Sequence, residues 1–310
     1  MKHTLLPLAS LSLLLLTLSG CPESAPAGES STAGKSTQAE MKSFADEELQ
    51  WRANRLSRLT RDDSWLTLAG LDWIHEGDNE VKLPATPPVT VHVTLAGAVA
   101  TLQPNPALTL DGHPVTAPVV LQDDTAEKPG IVHAGPVTFV FIKRADKNGE
   151  RYALRVKDPN SPSRKDFKGL DYFPADAKYR VTARFEPFNP PRKLSITNVL
   201  GMVSEETAPG VLVFTLAGKE YRLEPILEQG EKDLFIIFRD ATSGHETYGA
   251  ARYLYASPAG ADGKTVVDFN HAYNPPCAFT PFATCPLPPP QNRLPLRIEA
   301  GEKKYAGGHA

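Results

Sequence analysis

The 310 residues contain no G-x-S-x-G, no H-E-x-x-H and no G-x-G-x-x-G. Those absences remove the sequence signatures of α/β-hydrolases, zincin proteases and dinucleotide-binding folds. Cysteine is scarce, with three in the chain, so neither a disulfide-dense framework nor a four-cysteine zinc site is available. No sign of charge dominates: 33 Lys and Arg face 36 Asp and Glu, a net charge of −3. Without a long basic cluster, a nucleic-acid partner is not expected. No apolar run is long enough to span a bilayer; the longest, Leu5 to Leu18, is short for a spanning helix.

That run belongs to a secretory signal. Lys2 precedes it, and Leu18-Ser19-Gly20-Cys21 follows. The ending resembles the lipobox of bacterial lipoproteins, which implies cleavage before Cys21 and a lipid on its sulfur. Residues 1–20 are therefore expected to be the signal peptide. Several acyl chains on one residue anchor a protein stably without a protein span. Pro22 and Glu23 carry no inner-membrane retention signal of the enteric kind. The expected address is the bacterial envelope, at the outer membrane facing the periplasm, with the membrane as partner through Cys21. Residues 21–40 (CPESAPAGESSTAGKSTQAE) have almost no apolar side chain to offset the entropy of ordering, and a flexible tether is expected there.

From 41 to 61 the pattern is helical. Glu47 and Glu48 come early, Arg52, Arg55, Arg58 and Arg61 late, as the helix macrodipole favours. Packing of its apolar stripe against the domain edge is expected. Residues 62–160 are expected to form a β-sandwich-like domain. Val89 to Thr94 alternates, and Asp111-Gly112 and Asn148-Gly149 are two-residue hairpin signals. The run Gly77-Asp78-Asn79 to Leu83-Pro84 with its following strands loosely resembles forkhead-associated sandwiches. That family's phosphopeptide-reading residues have no match here, so phosphothreonine binding is not implied.

Residues 161–305 read as an antiparallel β-barrel or sandwich. Its expected strands are 179–185, 193–199, 211–216, 221–227, 234–238, 252–255, 265–269 and 294–298. The overall class is mainly β behind one N-terminal helix. Within this half, residues 268–290 hold seven of the chain's 29 prolines together with Phe269, Tyr273, Phe279 and Phe282. Proline excludes regular ladders and helices, yet the aromatics must be buried. A specific packed loop is expected, of the kind that carries function.

Four stretches in this half carry a resemblance. They are Tyr172-Phe173-Pro174-Ala175-Asp176 with Tyr179-Arg180-Val181; Asp240 to Gly249 (DATSGHETYG); Asp268 to Cys277 (DFNHAYNPPC); and Asn292-Arg293-Leu294 with Glu299-Ala300-Gly301-Glu302. From about Trp51 to the C-terminus the chain resembles the DUF1684 family of bacterial proteins of unknown function. The resemblance implies no established chemistry. Gly249-Ala250-Ala251-Arg252 stands where the family usually has Gly-Ala-Gly-Arg.

Two polar constellations are candidate sites. Asp240 to Arg252 offers Ser243 as nucleophile, Glu246 as base and Arg252 as anion clamp. Its blander alternative is a turn with Glu246 paired to Arg252. The second is Asp268, Asn270, Tyr273 and Asn274. A common cleft is expected to gather Glu246, Tyr248, Arg252, Asp268, Asn270, Tyr273 and Asn274, with Tyr172, Tyr179 and Arg180 able to join. His271, Cys277 and Cys285 match no common zinc spacing, and neither metal nor cofactor is expected. In an oxidising compartment Cys277 and Cys285 are expected to form a disulfide, the alternatives being two free buried thiols or two thiolates on a metal with His271. The favoured function is a tethered protein binding a small molecule or envelope component. The alternatives are a hydrolase of an ester or envelope polymer, using Ser243, Glu246 and Asp268, and a purely structural partner in a lipoprotein complex.

Overall fold

The computed structural model describes residues 32–146, 149–228 and 230–308. Residues 1–31, with the signal peptide, Cys21 and the first part of the tether, lie outside the described residues. The chain divides into two units, 1–42 and 43–310. Of the first, the described part is the beginning of α1 (Thr32–Leu59). The expected helix thus starts at Thr32 rather than 41, and residues 32–40 of the expected tether are helical. Ala33, Lys35, Gln38, Ala39 and Glu40 are good helix formers that extend an existing helix without a new nucleation cost. Among the described residues no helix is long and apolar enough to cross a membrane.

The second unit is mainly β. Its first half has ten strands: β1 (Leu68–Ile74), β2 (Gly77–Leu83), β3 (Val89–Ala96), β4 (Val99–Leu102), β5 (Asn105–Leu110), β6 (His113–Val115), β7 (Val119–Leu121), β8 (Ile131–Ala134), β9 (Val137–Asp146) and β10 (Gly149–Lys157). They form two antiparallel sheets, ordered β1-β10-β9-β8-β5-β6 and β2-β3-β4-β7. Alternate residues meet in one core: Val91, Val93 and Leu102 from one sheet, Phe139, Leu154 and Val156 from the other. Each such side chain contributes about 1.5–3 kcal/mol by burial. The turn between β5 and β6 has Asp111 at φ 49° and Gly112 at φ 85°, the two positive values that a type I′ hairpin needs.

The second half contains β11 (Arg180–Thr197), β12 (Val203–Leu216), β13 (Lys219–Leu223), β14 (Ile226–Leu227), β15 (Leu234–Phe238), β16 (Arg252–Ala256) and β17 (Lys264–Asp268). Orders β13-β12-β11-β17 and β14-β15-β16 make a half-barrel around Leu212, Phe214, Ile236, Phe238, Leu254 and Phe269. The expected strands 179–185 and 193–199 are one long β11 with a register shift between Pro187 and Arg192. Expected strand 221–227 is split at Pro225 into β13 and β14. Residues 294–298 are not a strand. Leu294 and Ile298 are buried as their apolar character requires, but Pro295 between them cannot donate to a ladder.

The proline-rich segment makes single 3-10 turns, Phe269–His271 and Pro276–Ala278, instead of longer elements. It is tied to the end of β11: Val199 N donates to Cys285 O, and Leu287 N to Thr197 O. Phe269, Ala272 and Phe279 are buried.

Candidate functional site

A cleft of about 860 Å³ opens between α1, the C-terminal half and the sandwich. One wall is the C-terminal end of α1, with Trp51, Arg55 and Arg58. A second is aromatic: Phe235 on β15, Tyr253 and Tyr255 on β16, and Tyr273 on the loop. Tyr253 and Tyr273 exchange backbone hydrogen bonds at 2.9 and 3.0 Å. Their rings meet edge to face at 5.9 Å, while Tyr255 stacks against Tyr273 at 6.4 Å. The floor comes from the sandwich: Arg144 on β9, Arg155 and Lys157 on β10, and Trp65 just before β1.

β10 positions the floor cations by simple alternation. Tyr152, Leu154 and Val156 enter the sandwich core, so Arg155 and Lys157 take the opposite face. The proline-rich loop then covers that face. Arg155 Nη2 donates to Thr284 Oγ1 at 3.0 Å, and Arg144 Nε donates to the same oxygen at 3.2 Å. Arg144 is paired with Asp124 at 2.8 Å. Arg155 has no carboxylate partner among the described residues; it is 8 % exposed, and its Nε has no hydrogen bond. Burial, and secondarily Arg144, push its guanidinium down to about 10. Burial also lowers Lys157, with Asp63 opposing. Lys157 Nζ donates to Asp63 O at 2.6 Å and lies over the Trp65 ring. The floor therefore holds a buried guanidinium, Arg155, without a carboxylate partner among the described residues, beside a half-buried Lys157.

Arg55 is a different case. Its guanidinium is 4.6 Å over Tyr273 and 2.7 Å from Glu302 Oε1, whose side chain is fully buried. Asn274 donates to the other oxygen of Glu302 from N and Nδ2, at 2.8 and 3.0 Å. This network fixes the cleft wall. Glu302 reaches it because Gly301 adopts φ 76°.

Of the seven residues expected to share a cleft, Tyr273 and Asn274 line it and the other five do not. The expectation that Arg252 and Glu246 share a cleft with Asp268 is corrected. Arg252 is 2 % exposed and sealed inside the half-barrel, donating to Asp240 Oδ1, Ile298 O and Ala300 O. It closes backbone carbonyls that the irregular 294–300 segment leaves unpaired. Neither does it pair with Glu246, which binds Arg297 at 2.6 Å. Asp268 is held by Arg180 and by Asn270, at 3.0 Å from N and 2.9 Å from Nδ2. Asn270 also ties Asp176 through both its N–H and its carbonyl. Tyr248 donates to Cys277 O at 3.0 Å. Ser243 Oγ donates to Asp240 Oδ1 at 3.3 Å and accepts from Asp240 N at 3.2 Å. Ser243, Glu246 and Asp268 thus sit in three separate networks.

Cys277 and Cys285 are both free and buried, where a disulfide was expected. The Cys285 sulfur accepts from Cys277 N at 3.1 Å, so it turns toward the Pro276–Ala278 backbone. His271 lies beside Glu48 and Trp51. Sequence reasoning missed Arg144, Arg155, Lys157 and Trp65. Alternation along β10 puts Arg155 and Lys157 off the core, but nothing local shows that a distant loop buries that face.

With this geometry in place, the comparisons assign the family: the chain belongs to DUF1684, a family of proteins of unknown function, whose model matches residues 165–303. The chain is similar to an uncharacterized protein of Haloarcula marismortui with a solution NMR structure. Identity is 32%, covering 48% of this chain and 84% of that one, at a TM-score of 0.41. None of the curated proteins matches the chain. The floor cations precede the matched segment, whereas the aromatic wall and Thr284 fall within it.

Proposed function

We propose that the protein is a lipid-anchored binding protein of the bacterial envelope whose cleft takes an organic anion. The anionic group sits on Arg155, with Lys157 beside it. The planar or apolar body lies on the tyrosine wall. Arg155 carries this reading: a guanidinium 8 % exposed, paired with no carboxylate among the described residues, in a cleft wide enough for a small molecule. Taking a charge out of water without a partner is costly, and a bound anion removes that cost. A volume of about 860 Å³ is typical of small-molecule sites. The ligand position is shared between the sandwich and the C-terminal half, whereas the sequence pointed to the C-terminal half alone. The envelope anchor rests on the Leu18-Ser19-Gly20-Cys21 ending and the apolar run before it.

The test is a thermal-shift panel on the full chain, comparing aromatic carboxylates and phosphates with their neutral amides and alcohols at constant ionic strength. A native-state ligand raises the melting temperature with concentration. Saturable shifts confined to anions support the reading, and equal responses to charged and neutral members oppose it.

A further inference from the structure

A second cluster lies where α1 crosses the start of the proline-rich loop. Glu48, Asp268 and His271 each place a ligand-type atom within 4.8 Å of the others. Glu48 is 1 % exposed. Its Oε1 meets Arg180 Nη2 at 3.3 Å, while its Oε2 is buried with no hydrogen-bond partner. The His271 ring is stacked on Trp51, centroids 4.5 Å apart and planes 3° from parallel. Its Nε2 lies 3.1 Å from Glu48 Oε1 yet makes no hydrogen bond. Two buried ligand-type atoms are thus unused on neighbouring side chains.

We propose that Glu48, Asp268 and His271 bind a divalent first-row metal ion, with Zn²⁺ the best match. Three observations support the site. First, one imidazole with two carboxylates suits Zn²⁺ better than Mg²⁺ or Ca²⁺, which prefer oxygen alone. Second, the three ligand-type atoms lie within 4.8 Å of one another, and Glu48 Oε2 and His271 Nε2 are both buried without a hydrogen-bond partner. Third, the charge is right. Glu47, Glu48 and Asp268 all face Arg180, whose Nη1 also binds Glu47 at 2.8 Å. With His271 neutral, two negative charges remain, and a divalent ion cancels them. Coordination through the unused Glu48 Oε2 leaves the bond from Arg180 Nη2 to Glu48 Oε1 in place. His271 also lines the cleft. This site does not depend on the anion reading.

The experiment uses the full chain, stripped with a chelator, dialysed and titrated with Zn²⁺ by calorimetry while tryptophan emission is followed. One equivalent is expected to bind, and emission should change because Trp51 stacks on the ligand ring. His271→Gln should lose at least about tenfold in affinity. That side chain is 26% exposed, so the variant is expected to fold; Glu48→Gln, isosteric and buried, should lose affinity likewise. The Cys277→Ser/Cys285→Ser double variant should bind as the parent does. No stoichiometric uptake by the folded parent would overturn the site and leave a plain Glu48–His271 contact. Uptake unchanged in both ligand variants, or abolished in the cysteine variant, would overturn it as well.

Discussion

Arg155 and Thr284 meet at 3.0 Å, Nη2 to Oγ1. The bond ties strand β10 of the sandwich to the proline-rich loop of the C-terminal half. It satisfies one donor of a guanidinium that is paired with no carboxylate among the described residues. A hydroxyl dipole offsets part of the desolvation of a buried cation and leaves the charge available to a ligand.

Two arginines of the same cleft should therefore respond in opposite ways. Arg155→Met removes an uncompensated charge while Arg144 still donates to Thr284. The ligand-free protein should gain about 1 kcal/mol or more. Arg55→Met strands Glu302, whose side chain is fully buried, and should cost about 3–5 kcal/mol. Urea unfolding of the two variants checks the pair. The account fails if both lose stability equally.

Gly301 should not tolerate a side chain. A Cβ there would lie 2.4 Å from Ala272 O and 2.8 Å from Phe269 O, at φ 76°. Gly301→Ala should cost more than about 2 kcal/mol and loosen the Asn274–Glu302 wall. Denaturant midpoints measure the first effect, and hydrogen exchange at Asn274 the second.

Alkali should destabilise the fold. Burial, reinforced by Glu150, raises Tyr152 to about 12. Burial also raises Tyr172, Tyr248, Tyr253, Tyr255 and Tyr273. Unfolded tyrosine titrates near 10, so above that pH the unfolded chain binds fewer protons than the native one. The stability from these groups is complete below about pH 10 and is lost as pH rises further. Arg155 and Lys157, both lowered, act in the opposite sense and are outnumbered. Denaturant unfolding across pH 9 to 12, with tyrosinate absorbance followed in parallel, reads both. A stability that stays flat above about pH 10 would contradict this balance.

The strands were legible because their information is local. Val89 to Thr94 alternates along one strand, and Asp111-Gly112 can make its turn with no help from elsewhere. The site was not, because its chemistry arises from contacts distant in sequence. Arg252, shortly after the polar run Asp240 to Tyr248, resembles an anion clamp, and only the fold shows it capping the carbonyls of Ile298 and Ala300. Arg155 has the opposite history: it reads as a solvent-facing strand residue until Thr284 closes over it. Tyr273 and Asn274 were recovered because an aromatic and an amide in a loop that must pack are restricted to its inner surface.

The anchor has its own test. Cys21→Ser should move the protein from the membrane pellet to the soluble fraction, given the apolar Leu5 to Leu18 run and the Leu18-Ser19-Gly20-Cys21 ending. Retention of the serine variant in the pellet after carbonate washing would count against a lipid on Cys21.

The most direct test of the central claim needs no knowledge of the natural ligand. Melting temperature is measured at constant ionic strength while chloride is exchanged for millimolar phosphate or phenyl phosphate. The parent protein and Arg155→Met are compared, with Arg184→Met as a control at an exposed cation that pairs with Glu186. If the cleft is an anion site, the oxyanions raise the melting temperature of the parent and of Arg184→Met in a saturable way. The same additions leave Arg155→Met unmoved. Equal shifts in all three proteins, or none in any, would contradict it.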